Sequence, residues 1–367
     1  MTATNMTNNE GFDFGKWWYR TSRTRLITLY LLPAFLVMGF ITFYPLFFQI
    51  WMSFTDYGIS NLKIGSEAPT NVVLCNYVNI FAEDTAEGVP NWLCPNELLK
   101  DRTKNAPVST DLSNFNMGKL LFFNLWWTFS NVIFHVSLGI LIAVLLNQPG
   151  IWGKGVYRAI YVVPMLLPTL VIATVWRNMF DPTNGVINNT LAGIGSWFGA
   201  DPANFAIRWM EDTKAPFSWF FPWQPLPLSY FALLITNIWL GWPFMTIVAT
   251  GALQSIPSDL YEAASIDGAT GQQQFWNITL PLLRPAMVPA AMLGIITTFN
   301  LFNLIFFTSA GGPLRQTEIM VTTAYRLVNE KRLYGKAAAF SVIIFFVLLI
   351  LTLLTNQVTK ATESYDA

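Results

Sequence analysis

The chain has 367 residues and no net charge; 53% of the residues are hydrophobic and 11% charged, where soluble domains carry roughly 25% charged residues. So little charge cannot cover so much apolar surface in water, which excludes an ordinary soluble protein. A zero balance excludes bulk attraction to nucleic acid. One His (His135) and two Cys (Cys75, Cys94) exclude the usual zinc and iron–sulfur sites, so no metal is expected.

In chain order, residues 1–25 form a polar tail. Six apolar segments can then cross a roughly 30 Å hydrocarbon layer as helices of about 20 residues: Leu26–Trp51, Leu120–Leu146, Ala159–Phe180, Leu228–Leu253, Ala286–Thr308 and Ala337–Thr355. The first is too long for a removable signal peptide and reads as a retained anchor. Trp17, Trp18, Trp51 and Trp176 lie near the ends of apolar runs, as in an aromatic belt at headgroup level. The expected fold is therefore an all-α integral membrane protein with six transmembrane helices and both termini on one side. No internal repeat is evident.

Basic residues set the orientation. Lys16, Arg20, Arg23 and Arg25 crowd the start of the first span, none follows before Lys63, and Lys154 and Arg158 occupy the second connection. Both place the N-terminus inside. Arg315, Arg326, Lys331, Arg332 and Lys336 disagree, since they would lie outside. The first helix usually dominates, so both termini are predicted cytoplasmic. Residues 52–118 are then an extracytoplasmic segment holding both cysteines in a compartment where disulfides persist; Cys75 and Cys94 are either bridged or free. A second external stretch, 181–227, carries Trp209, Phe217, Trp219, Phe220, Phe221 and Trp223, which predicts ordered packing. His135, inside the second span, is either a satisfied interior group or a pathway residue. Pro164 and Pro168 each remove a helical hydrogen bond, so the third span should kink or open.

The connection 254–285 reads as two short helices. Ser258 can cap the first, and Leu260, Ala263 and Ala264 share a face. Asp267-Gly268-Ala269 ends it through a left-handed Gly. Thr270 and Gln273 have capping-box spacing for the second, with Pro281 closing that helix and Pro285 leading into the next span. Such an elbow is either a docking element or a connector lying on the membrane.

Glu262-Ala263-Ala264, then Gly268, then Ile278, Leu280 and Pro281 resemble the cytoplasmic signature loop, the EAA motif, of ABC importer permeases. Tyr261, Asp267, Ala269, Phe275 and Leu283 also fit. The resemblance covers residues 118–357 and is to the carbohydrate branch, the larger permease subunit of maltose-type importers in particular. Trp239-Leu240-Gly241-Trp242-Pro243-Phe244 resembles that family's fourth core helix, and Gly311-Gly312-Pro313 the turn after its fifth. Pro164, Pro168, Trp176, Gly185 and Asn188 fit as well.

This resemblance implies a type I ABC importer permease bundle over 119–357, preceded by the span 26–51 and the segment 52–118 and followed by a cytoplasmic tail, 358–367. It implies a multi-pass place in a bacterial or archaeal cytoplasmic (inner) membrane. It gives Glu262, Ala263, Ala264, Asp267, Gly268, Ile278, Leu280 and Pro281 a part in coupling to an ATPase subunit through a coupling helix. By motif position, Trp239, Leu240, Gly241 and Phe244, with Gly294, Thr297, Thr298 and Leu301, fall on the substrate pathway. The family has aromatic and Asn side chains where Thr297, Thr298 and Leu301 stand, and Asn300 and Asn303 are near enough to substitute. The implied partners are a second permease forming a heterodimer, two copies of an ATP-binding subunit and an extracytoplasmic solute-binding protein. Sugar or oligosaccharide is the implied substrate, with membrane lipid around the bundle.

The chain has no phosphate loop: Gly-Lys occurs at Gly15, Gly118, Gly153 and Gly335, never followed by Ser or Thr. No catalytic residue and no bound cofactor are expected; ATP and Mg belong to the partner ATPase. Two alternatives remain. An importer for a polyol or glycerol phosphate would, for the phosphate, need Arg or Lys facing the pathway, and the spans hold almost none beyond Arg177 near an outer end. A secondary transporter would show paired acidic groups inside the spans and an inverted repeat, and neither is evident.

Overall fold

The computed structural model describes residues 23–359, except 64, 67, 83–89, 91, 96–105, 149, 214–215 and 217–225. The polar tail with Lys16, Trp17, Trp18 and Arg20, the aromatic residues Phe217, Trp219, Phe220, Phe221 and Trp223, and residues 360–367 lie outside the described residues. Among those described, the regular structure is helical apart from one isolated bridge, Thr55 to Asn71.

Two compact units divide at Met52. The first holds α1, the 28-residue apolar span Arg25–Met52, about 42 Å of helix at 1.5 Å per residue. Its bonding shifts through one π turn at Gly39–Phe43.

The second unit begins with two short helices, α2 (Cys75–Phe81) and α3 (Val108–Asp111), before α4 (Met117–Asn147). Asn116 caps α4 by accepting from the Lys119 amide. Then follow α5 (Lys154–Leu166), α6 (Thr169–Met179), α7 (Val186–Trp197), α8 (Leu228–Gln254) and α9 (Ser258–Ile266). The chain closes with α10 (Gly271–Phe299), α11 (Phe302–Thr308), α12 (Met320–Asn329) and α13 (Tyr334–Thr359).

Contacts advance together along α4 and α8: Ser130 meets Tyr230, His135 meets Asn237, and Gly139 backs onto Met245. The two helices therefore run parallel, and the chain between them must return across the bundle. That return is the broken pair α5–α6, bent by 96°. Pro168 is the cause. Its ring disfavours the helical region for the residue before it, and Leu167 is extended (φ −87, ψ 137). Against α4, α10 runs the other way, Trp127 lying at Thr298 and Val132 at Gly294. Counting the bent pair as one, six spans result among the described residues, in line with the sequence. Gly139 sits so close to Met245 that any side chain would collide, the small-residue contact by which membrane helices approach.

The fifth span departs from expectation. Pro281 does not close a helix, and Pro285 does not open one; α10 runs unbroken from Gly271 to Phe299 through Pro281, Pro285 and Pro289. A π turn at Phe275–Thr279, where the Leu280 amide bonds the Phe275 carbonyl, takes up the mismatch ahead of Pro281. The second half of the 254–285 connection thus already belongs to the span. At the other end the apolar run to Thr308 is broken at Asn300 and Leu301, whose backbones leave the helical region. Alpha11 is a separate helix that packs on α6.

Alpha2 packs on α13 and α3 on α2. Cys75 and Cys94 are fully buried and joined by a disulfide beside Val72. Asn76 Nδ2 ties this segment to the Ser53 and Thr55 carbonyls at 2.9 and 2.8 Å. In the stretch after α6, Trp209 packs on Phe180 (5.2 Å between centroids) and donates to Asn188 Oδ1 at 2.8 Å. Closing a loop between positions 19 apart is worth about 3 kcal/mol. Reductant should therefore lower the thermal midpoint followed by tryptophan fluorescence, and Cys75→Ser should show the lowered midpoint with no further response to reductant.

Candidate functional site

Leu240, Gly241, Phe244, Gly294, Thr297, Thr298 and Leu301 line a single cavity of about 290 Å³, together with His135, Asn237, Met245 and Leu293. It lies where the middle of α8 faces the last third of α10 across α4. That size is near the lower bound for small-molecule sites, and among the described residues its wall contains no charged one.

One face of α4 builds the polar side of this region. Asn124, Trp127, Thr128, Asn131 and His135 recur at helical spacing and are each buried. Where α10 stops, the carbonyls of its last turn lose their regular helical partners, and two of these residues supply donors to them. Trp127 Nε1 donates to the Thr298 carbonyl and Asn124 Nδ2 to the Phe299 carbonyl, both at 3.2 Å. Asn124 Oδ1 accepts from the Met320 amide at 2.7 Å, joining the start of α12 to the same point. A broken helix is tolerated at membrane depth when its freed groups are satisfied in this way.

Deeper along α4, Asn131 Nδ2 donates to the Trp127 carbonyl (2.7 Å) and Asn131 Oδ1 accepts from Asn237 Nδ2 (2.8 Å). The Asn237 carbonyl then takes His135 Nε2 at 2.8 Å. The imidazole lies against Gly241, where a Cβ would overlap the ring. His135 is thus held through one ring nitrogen and is also part of the cavity wall. The sequence leaves His135 open between an interior group and a pathway residue, and it does not point to Asn237 as lining; the signal for both is a buried polar side chain on an apolar span.

Trp239 is placed elsewhere. It packs edge-on against Trp176 (5.9 Å) and lines a neighbouring recess with Tyr161 and Trp242. Asn300 donates to the Ile296 carbonyl, and neither it nor Asn303 is among the cavity residues.

The elbow occupies the end of the bundle where α8 stops and α10 starts. Pro257 occupies the N-cap position of α9 with no side-chain cap, and Ser258 does not supply one; its hydroxyl turns to Asp259 instead. Its other end follows the sequence: Gly268 is left-handed (φ +82), with the Ala269 amide on the Ala264 carbonyl (2.9 Å) and the Gly268 amide on the Ser265 carbonyl (3.1 Å), a Schellman closure. The capping box forms, Thr270 N–H to Gln273 Oε1 at 2.7 Å and Gln273 N–H to Thr270 Oγ1 at 3.3 Å. Glu262, Ala263, Asp267 and Gly268 are exposed, Ala264, Ile278 and Leu280 half-buried, and Ile266 is 87% exposed at the tip. Alpha9 is braced against α10: the Tyr261 and Thr279 hydroxyls lie 3.0 Å apart, and Gln274 Nε2 donates to Ser265 Oγ at 2.9 Å.

At the opposite end, Glu318 (3% exposed) takes both Arg315 and Arg326, Arg326 also pairs with Glu330, and Lys336 pairs with Asp111 at 2.7 Å. Three of the five basic residues that opposed the orientation are therefore neutralised internally; Lys331 and Arg332 remain exposed.

A bundle with one span broken at 96°, a cavity between its central helices and an exposed helical elbow defines the membrane-spanning part of a solute transporter. The chain belongs to the family of binding-protein-dependent transport system inner membrane components, whose sequence profile matches residues 135–363. It is similar to the maltodextrin transport system permease protein MalC of Streptococcus pneumoniae, at 27% identity over 350 residues, 92% of this chain and 70% of that one. It is 33% identical over 235 residues to the trehalose/maltose transport system permease protein MalF of Thermococcus litoralis, covering 64% and 72% of the two chains. Among solved structures, a chain of a bacterial ABC transporter that imports the acidic polysaccharide alginate shares the fold, with a TM-score of 0.63, 21% identity, and coverage of 95% and 100%.

Proposed function

We propose that this chain is a permease subunit of an ATP-driven importer for a neutral sugar or oligosaccharide. The carrying observation is that seven separately placed motif residues, from α8 through Leu301, converge on one cavity without charge in its wall. Relatives whose names specify maltodextrin, trehalose or maltose support the substrate class. A polyol fits the same wall; a glycerol phosphate does not, for want of a cation.

The elbow end is cytoplasmic in this reading, and the buried pairing of Arg315, Arg326 and Lys336 removes most of the contrary charge. Both termini then face the cytoplasm, and the disulfide segment faces outward. Exposed Glu262, Ala263, Asp267, Gly268 and Ile266 meet an ATP-binding subunit. Two copies of that subunit, a second permease and an extracytoplasmic solute-binding protein complete the complex, with ATP and Mg held by the ATPase. Because Tyr261 and Gln274 brace α9 to α10, a displacement of the elbow passes into a continuous helix whose far end carries Gly294, Thr297 and Thr298. Nucleotide would thus bias a two-state bundle. Ile278, Leu280 and Pro281 sit at the root of that lever.

The test is gentle purification from the native membrane, with mass analysis and ATPase assay in the presence of the binding protein and maltose, trehalose or a galacto-oligosaccharide. An ATP-binding subunit, a second permease and sugar-stimulated hydrolysis are expected. Gly268→Glu, forcing a side chain into a left-handed turn at about 1–2 kcal/mol, should assemble yet lose the stimulation. A chain arriving alone without ATPase would refute the reading.

A further inference from the structure

We propose that His135 is a specificity-determining residue of this cavity, presenting the lone pair of Nδ1 to a hydroxyl of the solute. The inference rests on the sugar reading and extends it to one atom. The partner of Nε2 is a backbone carbonyl, which can only accept, so Nε2 carries the ring proton. With that proton placed, Nδ1 is an acceptor, and among the described residues the cavity wall contains no carboxylate to pair with a second proton. Nδ1 has no hydrogen-bond partner among the described residues, although the ring is only 4% exposed and lines the cavity.

The ring cannot easily turn away. Gly241 leaves it just enough room, and the Asn237 carbonyl that holds it belongs to a residue itself held by Asn131. An acceptor fixed in an apolar wall is selective by the cost of leaving it unpaired. It favours a hydroxyl, disfavours a methylene or ether oxygen in the same place, and opposes a carboxylate or phosphate oxygen. The chemical class that satisfies it is a neutral polyhydroxylated solute.

The test uses the complete complex with its ATPase and binding protein, reconstituted in vesicles. KM for uptake is measured with maltose, trehalose and their monodeoxy analogues, for the wild type, His135→Leu and His135→Gln. Removing the hydroxyl that meets Nδ1 should raise the wild-type KM about 10-fold, and His135→Leu should abolish that penalty. Any preference of the binding protein is common to all variants and cancels in the comparison. His135→Gln retains an N–H for Asn237 but moves the acceptor, so the penalty at that hydroxyl should shrink while uptake persists. Equal penalties in wild type and His135→Leu for every analogue would overturn the inference. Should the leucine variant fail to assemble, an unchanged penalty in His135→Gln would do the same. A wild-type complex that takes up neither these sugars nor any galacto-oligosaccharide would instead overturn the sugar reading, and the inference with it.

Discussion

Replacing Asn124 with leucine is expected to destabilise the bundle by about 2–6 kcal/mol and to abolish sugar-stimulated ATP hydrolysis, since each of two buried groups left unsatisfied costs about 1–3 kcal/mol. Asn124 is fully buried, and its one amide serves two backbone groups from different segments, the Phe299 carbonyl and the Met320 amide. Leucine fills similar volume and satisfies neither. The functional loss follows from position. The carbonyl that Asn124 holds is one residue beyond Thr298 and two before Leu301, both in the cavity wall, so a loosened break lets that wall shift. Asn124→Asp keeps an acceptor for Met320 while losing the donor to Phe299, and should fall between wild type and leucine. Thermal midpoints of the solubilised complex rank the three. Equal stability for leucine and wild type would show that the break at Asn300 needs no clamp.

Replacing Glu318 with glutamine is expected to cost about 3–5 kcal/mol, the range for removing one partner of a buried ion pair. Glu318 is 3% exposed, and the Arg315 and Arg326 side chains are 16% and 19% exposed. Arg315 reaches it bidentately, Nε at 3.0 Å and Nη2 at 3.1 Å, and Thr323 Oγ1 adds a third donor at 3.0 Å. The substitution would leave two guanidinium groups facing a neutral amide. Arg326 keeps Glu330 and the Ala310 carbonyl, whereas among the described residues Arg315 retains only a 3.4 Å contact with the Ser113 carbonyl. The segment before α4 should therefore loosen first, read as faster amide exchange around residues 106–116 and a lower thermal midpoint. A loss under about 1 kcal/mol, the scale of an exposed pair, would show that Arg315 finds another acceptor.

Several local signals of the chain are kept by the fold. Spans are legible because some twenty consecutive apolar residues have no other stable place, and the Gly268 turn and the Thr270–Gln273 box were readable because caps are decided within three or four positions. Pro168 announced the corner in the third span for the same reason. The expectation that Pro281 and Pro285 would divide the elbow from the fifth span was wrong, because a π turn just upstream relieved the mismatch that a local reading treats as a stop. The apolar run through Thr308 likewise hid the break at Asn300.

Features that depend on partners far away in sequence had to wait for the packed bundle. The break is held by Asn124, 175 positions from Phe299, and His135 is fixed by a carbonyl 102 positions away. Trp239 turned to Trp176 and out of the cavity, a choice between two faces of α8 that its motif position could not make. Whether Cys75 and Cys94 pair, and whether Arg315, Arg326 and Lys336 count as free charge, were settled by which groups the packed helices bring within reach. Membrane class, the number of spans and the Gly268 turn of the elbow could be read from the chain alone, because these follow from hydrophobic length and short-range hydrogen bonding. The cavity wall and its polar atoms came only from the fold, because buried polar groups in a bilayer take partners wherever the packing offers them.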